Sequence, residues 1–215
     1  MMPFADLVAG RHSVRTFEPT DIGPEAVRTI LEAANRAPSA GNLQAYEIYV
    51  VTSHAVREAL TRASLDQAFI TQAPVVLVFC AHPARATERY RSRGEQLYAV
   101  QDATIACTFA MLSAQDQGLA TVWVGAFADE AVRRSIDAPP EHHPVAVLPI
   151  GRAAKTPRAR PSRDCAWSWI SSTRNSSCWS RRASSWLRRM PRIIYCRTSM
   201  RTAGMTSWLS SGAAP

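Results

Sequence analysis

The stretch YAVQDATIACTFAMLSA, residues 98–114, limits the possible folds more than any other part of the chain. Wound as a helix, it carries apolar or small residues on nearly every side. A helix without a polar face is stable only when buried in a large core or a subunit interface. The pattern predicts a long helix from about Arg89 to Gln117, ended by Gly118.

The flanking segments supply what such a helix needs. APVVLVFCA, residues 73–81, is a continuous β-branched run and reads as a strand buried on both faces. EIYVV reads as a short strand, LATVWVGAF as another that Gly125 breaks, and PVAVLPIG as the last clear strand. Pro24 opens a helix whose Val27, Ile30, Leu31 and Ala34 share one face. Ser53 is placed to cap a helix carrying Val56 and Leu60, and Asp129 begins one with Val132 and Ile136 inward. Strands alternate with helices, so an α+β body around one sheet is expected. With 47% hydrophobic residues in 215, the chain can bury a sizeable core. No G-x-G occurs, which excludes both a Rossmann fingerprint and a P-loop. No uninterrupted apolar run of ~18 residues is present, so no membrane-spanning helix is expected. Phe4–Val8 is too short and too acidic for a signal peptide. The five cysteines have no C-x-x-C spacing and are odd in number, which fits a reducing cytoplasm and argues against a disulfide framework or a zinc site.

Two motifs carry chemistry. RHSVRTF, residues 11–17, gathers two guanidinium groups, an imidazole and a hydroxyl, and Pro38–Gln44 is a polar loop of small residues ahead of a strand. Arg11, Ser13 and Arg15, followed by Pro38, Ser39, Asn42 and Gln44, resemble the FMN-dependent nitroreductase family. Its members open with Arg-x-Ser-x-Arg/Lys and then carry a Pro-Ser-x-x-Asn-x-Gln loop. Residues 101–127 and the LPIG that precedes a basic segment extend the resemblance, which covers about residues 4–160. Ala45 and Tyr46 stand where the family carries Trp after its Gln-Pro pair. The resemblance implies a nitroreductase-like fold: a mixed central sheet flanked by helices, with the long buried helix at a homodimer interface and FMN bound there. It also implies NADH or NADPH as electron donor and a nitroaromatic, quinone or similar small acceptor, reduced by a ping-pong mechanism.

The residues suit that cofactor on physical grounds. Arginine pairs well with a phosphate of charge near ~−2, because its planar fork makes paired, charge-assisted hydrogen bonds. Arg11 and Arg15, with Ser13 as a neutral donor and His12 as support, are candidates for holding it. Arg158 and Arg160 match the family's second basic pair. Asn42 and Gln44 present amides suited to the alternating donors and acceptors of a flavin's pyrimidine edge. Pro38, Ser39 and Ala40 belong to the same loop, and Gln67 is a further candidate of that kind. Val124 and Gly125 lie where the family's chain passes the reactive face of the flavin. Each has a structural alternative: solvated arginines, an Asn42 that only makes a turn, a Gly125 that only ends a strand. No protein acid or base is expected in the chemistry. Arg15 is the candidate for stabilising the reduced ring. Trp123 reads as core, and His142 and His143 read as solvent-facing in a proline-rich loop. No metal site is expected. Within the same fold, flavin fragmentation and reductive dehalogenation are alternative reactions.

Composition changes abruptly at residue 161. Residues 161–215 hold five of the six tryptophans, 13 serines, nine arginines and one acid, Asp164, while residues 1–160 balance 16 basic against 16 acidic residues. The net charge of +8 therefore belongs to the tail. Two parts are expected: an FMN-binding domain over 1–160 and an atypical, poorly ordered Ser/Arg/Trp-rich tail over 161–215. Basic residues interleaved with Trp in SRRASSWLRR allow an alternative as a nucleic-acid-binding protein. The neutral body argues against it, so neither nucleic acid nor membrane is an expected partner. A second explanation of the tail is a shifted reading frame. Trp is encoded only by TGG, and one base earlier each X-Trp pair reads as Leu, Val or Met. One choice of codons turns Pro161–Asn175 into an ordinary amphipathic segment with acids. In the family, the C-terminal extension wraps the partner subunit, so its loss would weaken the dimer and its hold on flavin. Coding DNA whose native frame runs intact through residue 215 would refute the shift.

Overall fold

The computed structural model describes residues 2–155. Expectations for Arg158, Arg160 and residues 161–215 lie outside the described residues. At the centre is β2 (Val75–Ala81), buried at all seven positions. It pairs with β1 (Tyr46–Val51) on one side and β4 (His143–Gly151) on the other. β4 pairs in turn with β3 (Ala120–Thr121), giving the order β1-β2-β4-β3. All these pairs are antiparallel, and a bridge between Ser13 and Thr121 is parallel. The mixed character expected of the sheet thus rests, among the described residues, on that bridge. The double burial of β2 comes from helices on both faces rather than from parallel pairing.

Side-chain alternation along β2 divides the core. Val75, Leu77 and Phe79 pack against α2 (Pro24–Asn35), through Ile30 and Ala34, and against α6 (Ala99–Asp116). Val76, Val78 and Cys80 pack against α3 (His54–Ala63), α4 (Phe69–Gln72) and α7 (Asp129–Ser135), through Leu60, Ile70 and Val132. α1 (Phe4–Gly10) contributes the buried Leu7. Beyond Thr121 the expected third strand pairs, among the described residues, only at Val124, opposite Val147.

The long central helix is present but begins earlier and is interrupted. α5 (Pro83–Arg93) leads through a π turn, Gly94–Tyr98, into α6. Arg91 leaves helical geometry at φ 52°, and Gly94 is pressed so close to α5 that a Cβ there would lie 2.3 Å from the Ala86 carbonyl oxygen. Gly118, just past the C-terminus, adopts φ 70° as a left-handed end requires. The stretch Pro83–Asp116 is long and apolar enough to cross a membrane by length and composition. Its packing against the sheet accounts for part of that apolarity. Most of the buried residues of α6 are small: Ala99, Ala103, Ala106, Cys107, Ala110 and Ala114, with Asp102 and Met111 the exceptions. Small side chains let the helix axis approach the sheet closely, at the density of a protein interior.

The other side of α6 is only partly covered, by α1 towards its C-terminal end, where the Met2 N–H donates to Asp116 Oδ1 at 2.8 Å. Val100 and Phe109 are 39% and 37% exposed. Thr104 and Thr108 donate their hydroxyls to the carbonyls of Val100 and Thr104, so even the polar positions there are satisfied within the helix. The helix is therefore buried along its inward face and leaves an exposed strip that includes Val100 and Phe109. Replacing Ala106 by Leu forces extra volume between α6 and the sheet. It should lower stability by about 1–3 kcal/mol, read as a shift of the urea midpoint.

Candidate functional site

The basic motif is an extended segment laid along one edge of the sheet. The Val14 N–H donates to the Thr121 carbonyl at 3.0 Å, Ser13 bridges Thr121, and Phe17 bridges Ala153. The Glu18 N–H donates to the Arg152 carbonyl at 2.9 Å, and the Ala154 N–H to the Thr16 carbonyl at 3.0 Å. Val14 and Phe17 are buried and anchor the segment, which leaves Ser13 and Arg15 exposed and Arg11 and His12 half-buried. The chain leaving β4 therefore runs beside Thr16–Glu18, and Arg158 and Arg160 follow shortly after the last described residue, Lys155. Val124 is buried beneath this edge, and Gly125 is exposed. The Gln67 amide nitrogen donates to the Ser64 carbonyl at 2.8 Å and to the Ala126 carbonyl at 3.3 Å, tying the α3–α4 connection to the residues after Gly125.

The polar loop is built elsewhere. Pro38 is exposed and leads from α2 into a 3-10 turn, Ala40–Asn42. Three residues take left-handed conformations: Gly41 at φ 57°, Asn42 at 57° and Gln44 at 43°. Glycine and asparagine tolerate this region, but glutamine there is strained, and such strain persists only where neighbours enforce it. The neighbours are identifiable. Ser39 Oγ accepts from the Gln44 N–H at 3.0 Å, and Asn42 Oδ1 accepts from Gln44 Nε2 at 3.0 Å. Asp102, only 2% exposed on α6, accepts from the Ala40 N–H at 2.9 Å and the Ala45 N–H at 3.4 Å. Arg85 of α5 donates to the Gln44 carbonyl at 2.6 Å and the Tyr46 carbonyl at 3.3 Å, and pairs with Glu47. A Cβ on Gly41 would lie 2.5 Å from the Tyr90 hydroxyl, so α5 also closes the loop from the side.

Register separates these two halves within one chain. The loop enters β1 at Tyr46, opposite Ala81, which pairs with His143 at the start of β4. The basic segment meets Thr121, opposite Ile150 near the end of β4. β1 and β3 are also the two opposite edges. Strand rise and spacing put the halves roughly 25 Å apart. One chain unites Arg11, His12, Ser13, Arg15, Gln67, Val124 and Gly125 at one edge. It holds Pro38, Ser39, Ala40, Asn42 and Gln44 at the far end.

Some of this was not evident from the sequence. Asp102 had a visible signal, an acid inside an otherwise apolar helix, but its partners Ala40 and Ala45 are distant in sequence. His142, expected to face solvent, is instead half-buried: its Nδ1 lies 2.6 Å from the Tyr49 hydroxyl and its ring 4.8 Å from that of His82. Burial, and next the neighbouring His82, lower its pKa below the usual histidine value. His143 is exposed, as expected. Trp123 is partly buried against the α2–α6 core.

Similarity to known proteins identifies the family. The family model described as "Nitroreductase family" matches residues 8–69 and 62–152. The oxygen-insensitive NADPH nitroreductase of Salmonella typhimurium is 29% identical over 168 residues, covering 75% of this chain and 70% of that protein. The FMN reductase (NAD(P)H) of Bacillus subtilis is 29% identical over 163 residues, covering 68% and 66%. The crystal structure of a nitroreductase family protein from Clostridium novyi NT superposes with a TM-score of 0.66 at 26% identity, over 74% of this chain and 89% of that one. With a sheet sandwiched between helices, a basic segment pinned to its β3 edge and a family match across most of the described residues, this chain belongs to the nitroreductase family.

Proposed function

We propose that the chain is an FMN-dependent oxidoreductase that takes reducing equivalents from NADH or NADPH and passes them to a nitroaromatic, quinone or similar small acceptor. The two substrates would use one site in turn. The observation that carries this reading is the Arg11–Arg15 segment, held against Thr121 at the β3 edge. Two exposed or half-exposed guanidinium groups and a serine hydroxyl on a pinned backbone suit a phosphate-bearing ligand. The names of relatives that reduce FMN or use NADPH support the same choice.

FMN, when bound, supplies the hydride-accepting and electron-donating chemistry. The chain's own residues bind and orient. Arg11 is assigned to the phosphate; Arg158 and Arg160, candidates from the sequence, lie outside the described residues. Arg15 is assigned to the pyrimidine edge, where a cation offsets negative charge on reduction. Asn42 and Gln44 are assigned to ring polar atoms, in a loop whose shape Asp102 and Arg85 enforce. Because the two halves lie at opposite ends of one sheet, a single cofactor can touch both only where two copies meet. A homodimer is therefore part of the proposal, with the outer face of α6 and the exposed Phe4 and Val8 as its apolar surface. The unpaired, buried Cys80 and Cys107 fit a reducing compartment such as the cytoplasm.

FMN added to the purified chain should bind and give flavin absorption near ~450 nm, with NAD(P)H oxidised in the presence of quinones or nitroaromatics. Arg15→Ala should weaken FMN binding about 10-fold or more, as loss of a charge-assisted hydrogen bond implies. A chain that binds no FMN at all would sink the proposal. Phe109→Glu should convert the dimer to monomer on size-exclusion chromatography and weaken flavin binding with it; a monomeric parent chain that binds FMN normally would remove the two-copy site.

A further inference from the structure

We propose that Glu47, His82 and His142 form a binding site for a divalent transition-metal cation of the zinc type, separate from the flavin chemistry.

Sheet register creates the site. β1, β2 and β4 are successive neighbours, and all three residues sit at the same end. Glu47 is opposite Cys80, two residues before His82, and Ala81 is opposite His143, which puts His142 across from His82. The ligand-capable atoms of the three side chains all lie within 4.8 Å of one another. Zinc bonds of about 2.0–2.2 Å need ligand atoms somewhat closer together than that upper bound, which small rotamer changes supply. Two imidazoles and one carboxylate leave a fourth position for water and suit zinc, or another borderline cation, better than calcium or magnesium.

The surroundings are those of a supported site. The Tyr49 hydroxyl lies 2.6 Å from His142 Nδ1, which orients the ring and leaves Nε2 for the cation. The Arg85 N–H reaches both the His82 carbonyl, at 3.2 Å, and His82 Nδ1, at 3.3 Å, so it keeps a partner if that nitrogen turns to a metal. Glu47 now pairs with Arg85, and both are more than a third exposed. Releasing Glu47 does not orphan the guanidinium, which retains the Gln44 and Tyr46 carbonyls. The Arg85 charge opposes a cation, while Glu141 and Asp137, whose charges reach His142 and Tyr49 respectively, favour one. Because Arg85 also grips the Gln44 carbonyl, occupancy would alter the anchoring of the polar loop.

The test uses the full chain, stripped by chelator, with zinc titrated by calorimetry and cobalt by visible absorption. The expected result is one cation per chain and a cobalt spectrum without thiolate charge-transfer bands. Glu47→Gln, a change at a partly exposed position, and the double variant His82→Gln/His142→Gln should lose binding. Tyr49→Phe, which keeps every ligand, should weaken it about 10-fold. Circular dichroism checks that the variants fold, and Tyr49→Phe decides the matter if the histidine double variant does not. No zinc binding by the parent chain would overturn the proposal. So would unchanged affinity in Glu47→Gln and Tyr49→Phe, or a cobalt–thiolate band reporting Cys165, Cys178 or Cys196 instead.

Discussion

Seven successive buried residues in β2 govern the molecule. A strand with no solvent-facing side chain must have an apolar layer on each face. The chain meets this with α2 and α6 on one face and α3, α4 and α7 on the other. Between those layers the basic segment lies along the β3 edge, and the polar loop sits at the opposite end of the sheet. The alanine-rich face of α6 follows from the same constraint. Small residues at most of its buried positions let a helix that spans the sheet lie close to it.

Asp102 shows how the core reaches the site. It is the one acid on the inward face of α6, and burying a carboxylate is costly unless it is hydrogen-bonded. Two backbone N–H groups of the polar loop satisfy it. The same contacts hold the loop in left-handed conformations that Gln44 would otherwise avoid. A rigid core element thereby fixes the shape of a segment that carries Asn42 and Gln44, while Arg85 grips it from α5. Precision in a binding loop of this kind comes from neighbours that belong to the scaffold.

Legibility in the sequence followed the range of the interaction. β2, α2, α6 and β4 were readable because their signals are local: hydrophobic period, a first-turn proline, a glycine past a helix end. The motifs at 11–15 and 38–44 were readable because each is contiguous. Interruption of the long helix at Arg91–Tyr98 was not, since it depends on Gly94 meeting Ala86 in the folded chain. The antiparallel pairing of β2 was not either. A run buried on both faces looks the same whichever way its neighbours run. His142 looked like a loop residue because its partners, Tyr49 of β1 and His82 just after β2, are distant in sequence.

By itself, the sequence determined that a helix without a polar face and a doubly buried strand share one core, and that two short polar motifs stand apart from it. These are properties of neighbours along the chain. Tertiary structure alone decided that the motifs occupy opposite ends of the sheet, that Asp102 holds the polar loop, and that Glu47, His82 and His142 converge. Those outcomes depend on strand order and register, which bring together residues tens of positions apart and leave no local trace in composition or periodicity.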